Sequence, residues 1–411
     1  MNKKINTFGI FWENVEYGGM SSHLVDLINS DTFKDVKFTI FTNKNNRGLK
    51  QILSNVDLKK INIVQYSSMN TMEVNNIILK IIYILIKPIL FIITIFQTYK
   101  ILKKFDFDVF LCLCGGYGNF RTEMAALLSA RILNYPVNSI SIHHCYGKAF
   151  FGSLFLKFID RFIFKFSNSI LFNSNSVKKN IINNTSLLKY NYKSEVIHLG
   201  VNIKRNNKNI NQLKKIFKIN SPENYKICML SRIEENKGHL DLVRAFHLLD
   251  ENVKNRFSIY FIGDGNENEL DKIKSSISKY NLNRYFIFTG YIDVDSVNII
   301  SHFDLFLSLT KTFEGFGLSC AEALMANTPI LSTDVGAVTE FLNNANATII
   351  KPGNINLIKD SLLDYINNQN KWKEKAKIGN NDIKNKFTSE IMSKKIYNHF
   401  SKIINNDSTS I

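Results

Sequence analysis

The chain is short of residues that staple or break structure. Five prolines in 411 residues leave no proline-rich linker. Cysteine is just as sparse: Cys112, Cys114, Cys145, Cys228 and Cys320 are scattered, most of them in apolar runs. A free thiol there behaves as a small hydrophobe. No CxxC or Cys/His spacing suggests zinc, so neither a disulfide framework nor a zinc site is expected, and the compartment is read as reducing. The start, "MNKKINTFGIFWENVEYGG", lacks a leader pattern, so export is not expected. Acidic residues are also scarce: 35 against 52 basic ones, a net charge of +17. Such an excess fits nucleic acid, an anionic membrane surface or anionic small molecules, or reflects the lysine usage of an AT-rich genome.

What is present is ample for folding. A hydrophobic fraction of 45% over 411 residues supports two domains with real cores. Short apolar runs alternate with helical patterns. In the first half, "NTFGIFW" (6–12), "KFTIFT" (37–42), "INIVQY" (61–66), "DVFLCLCGG" (108–116), "VNSISIHH" (137–144), "SILFNS" (169–174) and "SEVIHLGV" (194–201) read as strands. After a polar, basic stretch at 203–223 the alternation restarts with "KICMLS" (226–231), "FSIYFIG" (257–263), "YFIFTG" (285–290), "LFLSL" (305–309), "PILST" (329–333) and "ATII" (347–350). Helices are expected at 238–250, 267–279, 294–302, 317–326 and 337–343. Continuous apolar strands separated by helices predict parallel sheets covered on both faces. The expected fold class is α/β, with two doubly wound Rossmann-like domains facing across a cleft. The expected boundaries are 1–203 for the first domain and 204–380 for the second. C-terminal helices at 381–411 are expected to pack back toward the first domain.

Ligands of such sheets bind at the carboxyl ends of the strands, and the polar motifs lie there. "KTFEGFGLSCAEALMANTPILSTDVG" (311–336) carries Glu314 in a loop and Glu322 inside the following helix. Read blandly, Glu314 favours the helix dipole and Glu322 is a solvated helix residue. The glycines of "EGFG" add free backbone N–H groups at a helix N-terminus, a ready phosphate site. Two flanking carboxylates then suit a ligand with a central diphosphate and a sugar at each end. In "LSRIEENKGHLDLVRAF" (230–246), Arg232 and Lys237 follow a strand; they are either a solvated loop's cations or a diphosphate clamp. "FIGDGNE" (261–267) is explained by turn chemistry. "YGGMSSHL" (17–24) brings Gly19 to a strand-to-helix junction, where close backbone approach to a ligand is plausible. His143 and His144 end a strand, and a polar contact with substrate is expected there rather than metal, since no third ligand accompanies them. The aspartates of "DFD" (106–108) and "DVD" (293–295) are expected as caps and turns.

These motifs together resemble the retaining glycosyltransferases of family 4, the bacterial group 1 enzymes with the GT-B fold. "SRIEENKG" is similar to the family's arginine and lysine loop, and "EGFGLSCAEALMANTPILSTDVGAVTE" to its two-glutamate signature. "FIGDGNE" and "FTGY" stand between them in the expected order, and "YGGMSSHL" and "SIHH" match weaker positions. Ser231 and Asn327 stand where the family usually has glycine, and "IHLGVN" (197–202) replaces the usual "PNGV" form. The resemblance implies that Arg232 and Lys237 hold the donor diphosphate and stabilise the leaving group. It also implies that Glu314 contacts the transferred sugar, Glu322 the ribose, and His143 the acceptor side of the reacting carbon. Gly19, Gly315, Phe316, Gly317 and Leu318 would complete donor binding, with phosphates on the backbone N–H groups of Gly317 and Leu318. No metal and no cofactor are implied. The expected function is retaining sugar transfer from a nucleotide sugar to a glycan or lipid-linked acceptor, in bacterial surface polysaccharide or lipopolysaccharide assembly. A nucleotide-sugar epimerase of the same fold and an inactive membrane-docking protein stay open as alternatives.

Two segments bear on the membrane. "IILKIIYILIKPILFIITIFQ" (77–97) is near the length of a bilayer span, about 20 residues, but Lys80, Lys87 and Pro88 interrupt it. A helix lying on the membrane, or a core helix, is expected instead. "FFGSLFLKFIDRFIFKFSNS" (150–169) reads either as a basic amphipathic helix suited to an anionic surface or as an ordinary domain helix. Together with the charge, they favour a cytoplasmic protein held peripherally at the inner face of the plasma membrane. No nucleic-acid-binding module is recognisable.

Overall fold

A computed structural model describes residues 3–13, 18–67, 77–116, 121–145, 161–163, 165–185, 192–203, 211, 213 and 224–407; the side chains of 77–85, 87, 88, 121 and 407 are outside that description. The chain forms two compact units, Met1–Gly200 with Ser389–Ile411, and Val201–Thr388.

In the first unit, strands β1 (Thr7–Trp12), β2 (Lys37–Asn43), β3 (Ile61–Tyr66), β4 (Val109–Cys114), β5 (Val137–Ile142), β6 (Ser169–Phe172) and β7 (Ser194–Val196) form one sheet. The order is β3-β2-β1-β4-β5-β6-β7, and all pairs are parallel. The described helices are α1 (Gly19–Asn29), α2 (Leu49–Ser54), α3 (Ile77–Leu102), α4 (Arg121–Ile132) and α5 (Asn175–Asn184). Strands β4, β5 and β6 are buried along their whole length, as expected of a sheet with both faces covered. Asp108 is structural: its carboxylate accepts from the N–H groups of Asn6 (2.8 Å) and Thr7 (3.1 Å) and so fixes the start of β1. Strand β7 stops at Val196, short of the 194–201 run expected, because it is an edge strand from which the chain departs toward the second unit.

The second unit repeats the design with β8 (Tyr225–Leu230), β9 (Phe257–Ile262), β10 (Phe286–Gly290), β11 (Leu305–Ser308), β12 (Ile330–Thr333) and β13 (Thr348–Ile350), in the order β10-β9-β8-β11-β12-β13, again all parallel. Its helices are α6 (His239–His247), α7 (Glu251–Lys254), α8 (Glu267–Lys279), α9 (Ser296–Ile300), α10 (Leu318–Met325), α11 (Ile355–Asn367) and α12 (Gln369–Lys386). Asp295 caps α9 by accepting from Asn298 N–H at 3.2 Å, the structural role expected of "DVD". In both sheets the order reverses beside the first strand, the switch point where doubly wound folds bind ligands.

The last helix, α13 (Ser389–Asp407), belongs to the first unit. Its Glu390 carboxylate gathers the Ser30 hydroxyl (2.7 Å), the Asp31 N–H (3.0 Å) and both the N–H and hydroxyl of Thr32. Phe400 and Tyr397 then pack their rings on Phe8 and Phe33. The division falls at 388/389 rather than at the expected 380/381. The reason is that α12 and the residue after it pack on the second unit: the Asn380 amide donates to the Leu324 and Met325 carbonyls at 2.9 and 2.8 Å, and the Phe387 ring packs on Phe316 and Phe341. The basic segment 150–169 falls largely outside the described residues, as does most of 203–223. Among the described residues no helix is long and apolar enough to cross a membrane.

Candidate active site

The carboxyl ends of β8 and β11 bring together polar side chains from separate loops. Lys237 and Glu314, far apart in sequence, form an ion pair at 2.8 Å, with both side chains about four-fifths buried (20% and 21% exposed). Thr310 donates a further hydrogen bond to the same Glu314 oxygen at 3.3 Å. The pair is built by the loops. Lys237 ends a 3-10 turn (Glu235–Lys237), and Gly238 follows with φ +79°. A Cβ at Gly238 would lie 2.3 Å from the Leu309 carbonyl oxygen, so only glycine lets the turn close on the end of β11. Asn236 clamps the other side: its carbonyl accepts from Lys311 N–H (2.8 Å), and its amide oxygen accepts from the N–H and hydroxyl of Thr312. Glu314 is placed from behind by Gly336, whose φ is +59° and whose Cβ would come within 2.2 Å of the Glu314 carbonyl oxygen. That carbonyl accepts the Ala337 N–H at 2.9 Å. Residues 337–343, expected as a helix, make only a 3-10 turn (Gly336–Glu340), because this packing diverts their backbone onto the glutamate loop.

Helix α10 begins at Leu318 with Gly317 as its cap. Cys320 and Ala321 N–H groups bond back to the Gly317 carbonyl. By helix geometry the N–H groups before them have no partner within the helix and face out along its axis. Ser231, Lys237, Thr310, Glu314 and Ser319 line a small cavity at this point. Arg232 is exposed and pairs with Glu234 at 2.6 Å, so of the two loop cations Lys237 is held in place and Arg232 is solvated. Glu322 lies half-buried on α10, between buried Ala321 and Ala323, and not on the solvated face of the bland reading. Phe316 packs its ring into a cluster with Phe341 and Phe387, so a donor contact there falls to its backbone. Gly315 is buried in the same loop. Cys320 beneath the helix is no nucleophile: burial pushes its thiol up to about 12. His239 is buried, and burial, then the Lys237 charge, lower its pKa to about 4, so it is neutral beside the lysine.

The first unit brings together a different set. His143 directly follows β5 and is buried. Its N–H donates to the Cys114 carbonyl (3.0 Å), its Nε2 meets the Ser141 hydroxyl (3.0 Å), and its carbonyl accepts from the Asn173 amide (2.9 Å). The His23 ring of α1 lies 5.1 Å away. Burial, followed by the like charge of His23, holds His143 well below the usual histidine range, and burial takes His23 to about 4. Both rings are therefore neutral. His144, its chain neighbour, is exposed. Gly19 opens α1 and is exposed; Tyr17 of the same motif is outside the described residues.

A second cluster escaped the sequence. Glu13, just beyond β1, accepts from the Tyr66 hydroxyl at 2.5 Å and from Thr122, while Thr122 also contacts Glu123. Burial, then the Glu13 charge, raise Glu123 to about 8. The two glutamates stand on opposite sides of 109 intervening residues, so no local motif announces them. Thr310, Asn236 and Gly336 were likewise missed as positioning residues. The only signal for Gly336 is its place in a "DVG" turn. Among the described residues no group of three or more His, Cys, Asp or Glu side chains converges as a metal site.

Residues 209–385 match the family model of the glycosyl transferases group 1. The match spans the ion pair, the glycine loops and α10. An uncharacterized glycosyltransferase of Methanocaldococcus jannaschii is 23% identical over 77% of this chain and 81% of its own length. The capsular polysaccharide biosynthesis glycosyltransferase CapM of Staphylococcus aureus is 24% identical over 68% of this chain and 73% of its own. Among solved structures, HepE of Anabaena in complex with UDP and glucose superposes with a TM-score of 0.75 at 14% identity, covering 97% of this chain and all of that one. The fold is GT-B.

Proposed function

We propose that this protein is a retaining glycosyltransferase. It takes a sugar from a nucleotide-sugar donor and passes it to a glycan or lipid-linked acceptor in surface polysaccharide or lipopolysaccharide assembly, at the inner face of a membrane. The observation that carries this reading is the Lys237–Glu314 pair, fixed by two glycine-dependent loops at the switch point of the second sheet. The family match over the same residues and the UDP and glucose held by the Anabaena neighbour support it.

In this reading the diphosphate sits at the N-terminus of α10, and Lys237 and Arg232 contribute the positive charge. As the bond from the anomeric carbon to the phosphate oxygen breaks, negative charge builds on the leaving diphosphate. Preorganised cations and backbone N–H groups stabilise that charge more than they stabilise the ground state. Arg232 and Lys237 do this without a metal. Glu314 accepts hydrogen bonds from the transferred sugar, Glu322 from the ribose. The acceptor hydroxyl attacks the face the leaving group vacates and gives its proton to the departing phosphate oxygen, so configuration is retained. Neutral His143 contributes polarity on the acceptor side without adding charge. The test is turnover of a nucleotide sugar by wild type, Lys237→Ala and Arg232→Ala. Near wild-type rates in both variants would sink the mechanism.

The Glu13–Glu123 pair favours a second reading, epimerisation of a nucleotide sugar, because one proton-holding carboxyl beside another is an acid–base couple. An epimerase converts donor with no acceptor present, and a transferase does not.

A further inference from the structure

Over its described side chains, 86 and 89–102, helix α3 (Ile77–Leu102) buries two threonines and exposes a run of apolar residues. The inner side packs on α4. There Thr94 and Thr98 are buried, the Thr98 hydroxyl meets the Ser129 hydroxyl at 2.8 Å, and Ser129 also bonds the Ile95 carbonyl at 3.2 Å. The outer side holds Ile86, Ile89, Ile92, Ile93 and Phe96. Ile89, Ile92 and Phe96 are 60%, 65% and 58% exposed. At helical spacing these residues form one continuous stripe. An ordinary domain helix has the reverse arrangement, and a stripe of this kind marks an interaction surface.

Charge decides what covers it. The stripe ends in exposed Lys100, whose Nζ lies 4.4 Å from the Phe96 ring centre, and in exposed Lys103 and Lys104. Beside it, Phe91 packs on Phe162, and that neighbouring segment exposes Arg161 and Lys165. Acidic side chains are absent from α3 altogether. A net charge of +17 opposes pairing with a second copy and favours an anionic surface. An apolar stripe flanked by lysines is the pattern of a helix lying in a lipid interface.

We propose that the outer face of α3 rests on an anionic bilayer surface, with Ile89, Ile92, Ile93 and Phe96 in the acyl boundary and Lys100, Lys103 and Lys104 among the headgroups. This deepens the membrane part of the proposed function and rests on it, naming the face and the lipid class.

The test is flotation of the whole protein with phosphatidylcholine vesicles, with and without phosphatidylglycerol, alongside donor binding by calorimetry. Wild type is expected to float with the phosphatidylglycerol vesicles. The triple variant Ile89→Gln, Ile92→Gln, Phe96→Gln is expected to lose about tenfold or more in partitioning, because each change removes several buried methylene equivalents. The triple variant Lys100→Glu, Lys103→Glu, Lys104→Glu is expected to lose the preference for phosphatidylglycerol. Both should keep the wild-type melting temperature and donor affinity, since every altered side chain is exposed. Wild type that binds donor but no vesicle overturns this inference and leaves sugar transfer standing. A glutamine variant that floats like wild type also overturns it. So does a wild-type dimer that the glutamine variant dissolves, since a second copy would then be the occupant. Vesicle binding without donor binding would instead sink the transferase reading.

Discussion

The two sheets share a strand order and differ in what they gather at their carboxyl ends. The second unit holds an ion pair, Lys237–Glu314, inside loops that only glycine can close. The first unit holds groups stripped of charge: two buried neutral imidazoles, His23 and His143, and a glutamate that keeps its proton to about pH 8. One end suits a charged ligand, the other a neutral, hydroxyl-bearing one. Under the proposed function the first would take the anionic nucleotide sugar and the second the hydroxyl-bearing acceptor.

The largest effect that would break this contrast is at the ion pair. Under the proposed function Lys237→Ala and Glu314→Ala should each lower turnover about 10²–10³-fold, measured with saturating donor, because the first loses a charge that stabilises the leaving group and the second a contact that positions the sugar. Next comes His143→Ala, expected to cost about 10²-fold by misplacing the acceptor. Since His143 is neutral throughout, the wild-type profile should show no inflection from it between pH 5 and 8. Gly336→Ala tests the loops. A Cβ there meets the Glu314 backbone, so stability should fall by about 1–3 kcal/mol together with activity, read by melting and rate.

Two smaller effects concern the first unit alone. Burial pushes Glu390 up, but the hydrogen bonds from Thr32, Ser30 and Asp31 outweigh it and hold the carboxyl below the usual range. Its stabilisation is present above the unfolded carboxylate pKa and is lost as pH falls through the lowered folded one. Glu390→Ala should cost about 1–2 kcal/mol near neutral pH, allowing for solvent screening, and less in acid, with donor affinity unchanged. Glu123 has the opposite sign. Its folded pKa is raised to about 8, so stability drains as pH climbs from the ordinary carboxylate range toward 8. Glu123→Gln should therefore melt higher than wild type at alkaline pH, and the gap should shrink in acid.

The contrast also explains what the sequence could reveal. Runs such as "DVFLCLC" and "FSIYFI" announce buried parallel strands because every residue faces a covered side. The ion-pair end of the second sheet was legible because its parts are local: Glu314, Gly317 and the start of α10 lie within five residues, and Arg232 and Lys237 share one loop. Their mutual distance was not legible, since Lys237 and Glu314 meet only when β8 and β11 pair. The polar end of the first sheet is assembled from single residues at the end of β3 and after β1, β4 and β6, so Glu13, Tyr66, Glu123 and Asn173 gave no motif. Phe316 shows the converse. Its position inside the glycine loop suggested a ligand contact, and its ring turned out to hold the loop down.

The most direct test of the central claim is calorimetric titration of wild type and Lys237→Ala with UDP-, GDP-, ADP- and CMP-sugars. The account predicts that one nucleotide class binds wild type and that Lys237→Ala weakens it about tenfold to a hundredfold, the loss of a charged hydrogen bond to phosphate. Equal affinity in both proteins, or no binding of any donor to wild type, would contradict it.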